Sequence, residues 1–385
     1  MDIQTLFSRI DELLPEYTEF LADICRLESP TEFKEGVDAV GRYIADKARA
    51  FGWKIDIQKQ PISGDCICIT MNPDAAGRPV CFSGHMDTVH AVGFFGEEPV
   101  RIDGDKMYAP GVDDCKGGIA AAFFAMAALH EGGYTARPVK LILQSDEENS
   151  SRFSNKTTVE FMCEQAKDAV AMFNMEPADR FSAVTSRKGI CRYRLTVHGK
   201  AAHSSICYDG KSAICEAAYK IIELEKCKAE HGTTINCGLI SGGTAENTVP
   251  DSCTFTADVR FADMQGMQDA DRLIRETAEK SCLGGTTCEV EVVSSRVPME
   301  LTERNLQLLE RVNAVYEKHG FTLLKSRRAN GGSDAADFTA HGIPCLDSVG
   351  IWGGSLHQRG EWASISSLAQ VAKRCAALVV ELSAE

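Results

Sequence analysis

Apolar residues recur along this chain with two different periods, and the switches between them divide it into segments. Near Ile3–Leu27 and Val37–Phe51 they return every third or fourth position, the mark of helices that bury one face. Short continuous apolar runs stand at Ile55–Gln60, Cys66–Met71, Val80–Ser83, Val139–Gln144 and Ala169–Asn174, with helical patterns at about Lys116–His130 and Thr157–Gln165 between them. Continuous apolar strands separated by helices predict an α/β fold with a mainly parallel sheet covered on both faces.

After Pro177 the order changes. Strand Cys191–His198, helix Ser212–Lys228, strands Thr234–Ser241 and Cys253–Phe261, helix Met267–Cys282 and strand Cys288–Ser294 follow one another. This β-α-β-β-α-β sequence predicts a small two-layer domain of the ferredoxin-like kind. The α/β pattern then resumes, with helices near Asn305–His319 and Asp334–His341, a strand at Cys345–Val349 and a last helix from about Ser366. The reading is a large domain in two parts, residues 1–181 and 297–385, interrupted by an inserted domain at 182–296.

Composition narrows the function. At 385 residues, 44% hydrophobic and 25% charged, the chain reads as a soluble globular protein. A formal net charge of -14 argues against nucleic acid or an anionic membrane as partner. The N-terminus lacks the basic stretch of a signal peptide, and no apolar run approaches a membrane span. The sixteen cysteines show no disulfide framework; several, such as Cys66, Cys68, Cys81, Cys237 and Cys253, sit in strand-like runs. They are read as reduced thiols in a cytoplasmic protein.

The candidate chemistry lies at the ends of the predicted strands. His85 (GHMDTV), Asp114 (APGVDDCKGG), Glu148 (SDEEN), Glu176 (NMEP) and His357 (SLHQRGEW) follow strands or the loops after them. An open α/β sheet binds ligands beyond the carboxyl ends of its strands, so one edge can gather all five. A single histidine at a strand end is usually structural; five suitable donors at corresponding places are not easily dismissed. Two imidazoles and three carboxylates suit zinc. The count favours two ions, with one carboxylate bridging and a position left for water. Asp87 lies two residues after His85, on the same face of an extended segment, where it can take the imidazole N–H. Glu147 and Glu148 are adjacent, so one can hold metal while the other faces the water.

The motifs HMDTV, GVDDCKGG, DEE, MEP, GKAAHS, GGTAENTVP, ADVRF and GGSDA, with the late histidine, run in order from about residue 80 to the C-terminus. The set resembles the glutamate carboxypeptidase–aminoacylase superfamily of two-zinc metallopeptidases (family M-twenty), and most closely its glutamate carboxypeptidase branch. Cys115 stands where that branch often has a second acid. The resemblance implies that Asp114 bridges, that His85 and Glu176 complete one zinc and Glu148 and His357 the other, and that Glu147 is the general base. It also implies a cis peptide after Asp114, dimerisation through the inserted domain, and tolerance of cobalt or manganese in place of zinc. Glutamate at the position of Glu176 points to carboxypeptidases and deacylases.

Further candidates face the substrate. The resemblance implies that His203 reaches the partner subunit's active site to stabilise an oxyanion, and that Asn247 hydrogen-bonds substrate. Arg260 is either a same-face partner of Asp258 or a guanidinium fork for a substrate carboxylate, the role of the matching family position. Gly331-Gly332-Ser333-Asp334 precedes a helix and offers N–H groups, chiefly at Gly332 and Ser333, to an anion. His90, His130, His198, His231, His319 and His341 are read as surface or local structural residues. The expected function is amide hydrolysis by a carboxypeptidase acting on a small peptide or N-acylated substrate. The alternative is an N-acyl-amino-acid deacylase of the acetylornithine or succinyl-diaminopimelate type, with a catalytically inactive binding protein as a more distant reading.

Overall fold

The computed structural model describes residues 2–229 and 232–382, so His231 lies outside the described residues. The chain forms two compact units. The larger comprises Met1–Thr185, Leu301–Arg328 and Ser333–Glu385, and the smaller comprises Ser186–Glu300 with Ala329–Gly332.

The larger unit is organised around an eight-stranded sheet in the order Lys54–Gln58, Cys66–Met71, Val139–Gln144, Val80–His85, Ala171–Asn174, Cys345–Asp347, Ser182–Arg187, Lys325–Ala329. The four central strands pair in parallel, Phe82 opposite Leu141 on one side and Phe173 on the other. The margins are antiparallel, as where Cys66–Met71 meets Lys54–Gln58 and Val139–Gln144. Every residue of Cys66–Met71 and Val80–His85 is buried, as strands covered on both faces must be.

Helix Gly117–Glu131 is buried from Gly117 through Leu129. Its sequence, GGIAAAFFAMAALHE, is apolar all round, so it has no face for water and must sit inside. Phe123 and Phe124 stack on Phe20 and Tyr17 of helix Ile3–Arg26, with centroids 5.0 and 4.1 Å apart. The helix begins with glycine because space requires it: a Cβ on Gly118 would stand 1.9 Å from the Met175 carbonyl oxygen. That contact seats the helix beside Glu176.

The smaller unit is a four-stranded antiparallel sheet in the order Thr234–Gly242, Ser252–Phe261, Gly189–His198, Thr287–Arg296, with helices Ala213–Leu224 and Met264–Glu279. The two central strands, Gly189–His198 and Ser252–Phe261, alternate strictly, and in the second Cys253, Phe255, Ala257, Val259 and Phe261 are buried. Their inward side chains join Ala217, Leu224, Ala270 and Ile274 of the helices in one core. Side-chain caps from Ser212 and Asp263 start the two helices.

Some elements differ from expectation. The unit boundary falls at Ser186–Glu300 rather than 182–296, and Ala329–Gly332 joins the smaller unit. A four-stranded sheet of very short strands, Gly353–Gly354, Trp362–Ser364, Lys106–Tyr108 and Arg101–Asp103, was not foreseen; runs of two or three residues are too short to show a period. Among the thiols read as core, Cys66, Cys68, Cys81 and Cys253 are buried and free, while Cys237 is half-buried. No described helix is long and apolar enough to cross a membrane.

Candidate active site

His85 ends its parallel strand and is 1% exposed. Its Nδ1 lies 2.9 Å from the Asp87 carbonyl oxygen and 3.5 Å from Asp87 Oδ1. The sequence reading gave the imidazole N–H to the Asp87 carboxylate, but the backbone oxygen is nearer. With Nδ1 donating there, Nε2 faces Asp114 Oδ1 at 3.1 Å and Glu176 Oε1 at 3.9 Å; it donates to Asp114 when the ring is protonated and offers its lone pair once that proton is lost.

The Asp87 carboxylate has a wider task. Oδ1 accepts the Glu147 N–H at 3.1 Å, while Oδ2 accepts the Glu148 N–H at 3.1 Å and the Thr31 hydroxyl at 2.8 Å. One buried side chain therefore fixes the loop that carries both adjacent glutamates.

Asp114 does not follow a strand directly. It sits in a wide turn, Val112–Lys116, that interrupts regular helical geometry before the central helix, and the Asp114–Cys115 peptide is cis. Its oxygens diverge: Oδ1 faces His85, and Oδ2 faces His357 Nε2 at 3.2 Å. His357 also lies 3.5 Å from Glu148 Oε2. The His357 side chain is 53% exposed, on the loop between Gly353–Gly354 and Trp362–Ser364. The Cys115 thiol accepts the His85 N–H at 3.0 Å, so it grips the backbone of a candidate ligand.

The electrostatics are those of a cation site. Burial pushes the Glu148 carboxyl up to about 9 and Glu176 well above the carboxylate range, with the neighbouring acids adding to both. The Asp114 hydrogen bond raises His357 to about 9. Burial pulls His85 down, but Cys115, Asp114 and Asp87 outweigh it and hold it well above its ordinary value. Glu148 and Glu176 thus hold protons here, while at Asp114 burial is outweighed by hydrogen bonds from His357 and His85, which hold it below the carboxylate range; divalent cations can replace those protons. The donor set fits: His85, Asp114 and Glu148, and also His85, Cys115 and Glu176, have ligand atoms within 4.8 Å of one another. Asp114, with one oxygen towards each imidazole, is disposed to bridge two ions.

The remaining candidates fall elsewhere. His203, Asn247, Arg260 and Gly332 belong to the smaller unit. His203 pairs with Thr248 across a short ladder, and the Ser204 N–H donates to the Asn247 carbonyl at 2.9 Å, so His203 and Asn247 are neighbours there. Arg260 donates through Nε and Nη2 to Asp258 at 2.6 and 3.3 Å, realising the same-face pair. A Cβ on Gly332 would meet Arg296 Cδ at 2.6 Å. Ser333 belongs to the larger unit, buried, its hydroxyl donating to Asp347 Oδ2 at 2.6 Å. Its side chain is therefore used by the fold, and the helix after it, Ala335–Ala340, is only six residues long.

Two residues near the cluster escaped the sequence reading. Glu361 is 1% exposed and accepts the N–H groups of Gly111, Asp113 and Asp114. His90, read as merely local, is buried with Nε2 2.7 Å from Glu361 Oε2. The one available signal was the position of Glu361 four residues after His357.

Residues 81–381 match the family described as Peptidase family M20/M25/M40. Carboxypeptidase G2 of Pseudomonas sp. is 27% identical over 389 residues, covering 98% of this chain and 92% of that protein. An acetylornithine deacetylase of Myxococcus xanthus is 28% identical over 269 residues, 65% of this chain and 68% of its own. Among solved structures, an M20 family metallo-carboxypeptidase from Sulfolobus solfataricus matches with a TM-score of 0.76 at 17% identity, covering 96% of this chain and all of that one.

Proposed function

Because the chain belongs to Peptidase family M20/M25/M40 and is a hydrolase of amide bonds, we propose that it is a cytoplasmic two-zinc carboxypeptidase that releases a C-terminal amino acid from a small peptide or N-acylated substrate. The observation that carries this reading is Asp114, its oxygens turned to His85 and His357 beside the Glu147–Glu148 pair. His85, Asp114 and Glu176 would hold one ion, and Asp114, Glu148 and His357 the other. Bound zinc, or cobalt or manganese in its place, would polarise the scissile carbonyl and make a water more acidic.

The protein's own groups do the rest. Glu147, held through its backbone by Asp87, takes the proton of the attacking water and passes it to the leaving amine. The Ser205 N–H points into His203 Nδ1 at 3.2 Å, which places the proton of a neutral ring on Nε2. That Nε2–H is the donor offered to an oxyanion in a partner's site, with Asn247 beside it. Arg260 exchanges Asp258 for the substrate carboxylate. Edge strand Thr234–Gly242 exposes Leu239 and Ile240, and helix Ala213–Leu224 exposes Tyr219 and Ile222, an apolar surface that suits a homodimer.

The Myxococcus xanthus relative favours a second reading, an N-acyl-amino-acid deacylase using the same chemistry. A release assay over dipeptides and N-acyl amino acids, run alongside zinc analysis, tests both. The expected result is about two zinc per chain and release only from substrates with a free carboxylate on the amine-side residue. Full activity with one bound ion would end the two-metal reading, and preference for acetyl or succinyl donors would select the deacylase.

A further inference from the structure

The turn carrying Asp114 is irregular. Gly111 enters it at φ 68°, and Asp114 and Cys115 have non-helical backbone angles, so a normal helical ladder does not serve its first N–H groups. Buried N–H groups without partners are costly. Here one distant carboxylate supplies the partners. Glu361 Oε1 accepts from Asp113 N at 2.9 Å and Asp114 N at 3.1 Å, and Oε2 accepts from Gly111 N at 3.2 Å. Oε2 also meets His90 Nε2 at 2.7 Å. The His90 ring is in turn clamped by Phe94, stacked at 5.6 Å, and by Phe95, edge-on at 5.0 Å.

We propose that Glu361, oriented by His90, is a positioning residue that fixes the Asp114 backbone so that the two carboxylate oxygens face opposite imidazoles. A carboxylate buried this deeply is stable only when donors surround it, and four do. The donors include the backbone of the bridging residue itself, so a shift of Glu361 is a shift of Asp114. Cys115, through the His85 N–H, holds the facing ligand in the same manner. The inference rests on the reading of Asp114 as a metal ligand.

The test measures zinc affinity of folded apoprotein by competition with a chromophoric chelator, for Glu361→Ala, Glu361→Gln, His90→Gln and, as reference, Asp114→Asn. Removing a group that orients a ligand typically weakens metal binding by roughly 10- to 100-fold, and Glu361→Ala should fall in that range. The Gln carbonyl oxygen can still accept from both Asp113 and Asp114, so Glu361→Gln should recover most of the affinity. His90→Gln should cost about threefold to tenfold. A Glu361→Ala protein that melts earlier yet binds zinc like wild type would make Glu361 a mere stabiliser of the fold and overturn the proposal. Should Glu361→Ala fail to fold, wild-type affinity in His90→Gln would overturn it equally. Zinc retention by Asp114→Asn would instead remove the ligand reading beneath it.

Discussion

In the larger unit Asp87, Glu361 and Cys115 are buried beside the cluster and each is tied to backbone. Asp87 holds the Glu147–Glu148 loop, Glu361 holds the turn at Asp114, and Cys115 holds His85 itself. In the smaller unit His203 and Asn247 are exposed and Arg260 is 30% exposed, engaged by a neighbour two residues away. The first arrangement fixes geometry before any ligand arrives. The second leaves His203 and Asn247 exposed and Arg260 held only by a local partner. If the first set carries the chemistry and the second the recognition, as proposed, variants on each side should fail differently.

The largest effect should come from the rigid side. Glu147→Ala leaves the Asp87 contacts to the loop backbone, so zinc content should stay near wild type while kcat falls by roughly 10²–10⁴. Glu148→Ala should lose zinc instead. Rapid-quench kinetics beside metal analysis separates the two, and zinc loss in Glu147→Ala with retention in Glu148→Ala would exchange the assignments.

On the recognition side, Arg260→Ala should lower kcat/KM by about 10- to 100-fold, the worth of a charge-assisted pair. Arg260→Lys should be nearly as poor, since a point charge cannot reproduce the fork. Amidating the substrate carboxylate should hurt wild type strongly and Arg260→Ala little; equal losses would leave Arg260 as the partner of Asp258 and nothing more.

If His203 serves the other subunit, mixing inactive Glu147→Ala and His203→Ala dimers should restore activity. Random exchange makes half the dimers mixed, and about a quarter of all sites then carry neither lesion. Mass-verified mixed dimers without recovery would return His203 to its own chain.

The smallest effect concerns stability alone. Glu216 in the smaller unit is buried, accepts the Cys282 and Leu283 N–H groups at 2.9 Å each, and pairs with Lys220 at 3.2 Å. Burial raises its pKa, but those hydrogen bonds outweigh burial and hold it below the ordinary glutamate value. A depressed folded pKa stabilises above the unfolded value, near 4.3, and the benefit is lost as pH falls through the folded one. Glu216→Gln should cost about 1 kcal/mol at neutral pH and lessen the loss of stability below about pH 4. Zinc affinity should not move; if it does, the two regions are not independent.

How much of this was legible follows from what each residue touches. The parallel centre was readable because strands buried on both faces are continuously apolar, as CICITM is. The convergence of His85, Glu148 and Glu176 could be read because each follows a strand of the alternating pattern, whereas Asp114 lies in the turn before the central helix. Glu361 was not readable: its partners are backbone N–H groups some 250 positions earlier, and backbone groups leave no trace in residue identity. His90 was misjudged because its partner, the Glu361 side chain, lies 271 residues away. The Arg260–Asp258 pairing was visible as a possibility from the two-residue spacing, but only coordinates show which partner the fork holds.

The seating of Gly118 against the Met175 carbonyl, 1.9 Å from where a Cβ would stand, joins the start of the most deeply buried helix to the residue before Glu176. The backbone beside Glu176 is thereby packed against the core helix. Amide hydrogens from Ile119 to Leu129 should then exchange with solvent only through global unfolding. If two ions bind as proposed, the one on buried His85 should leave more slowly than the one on exposed His357.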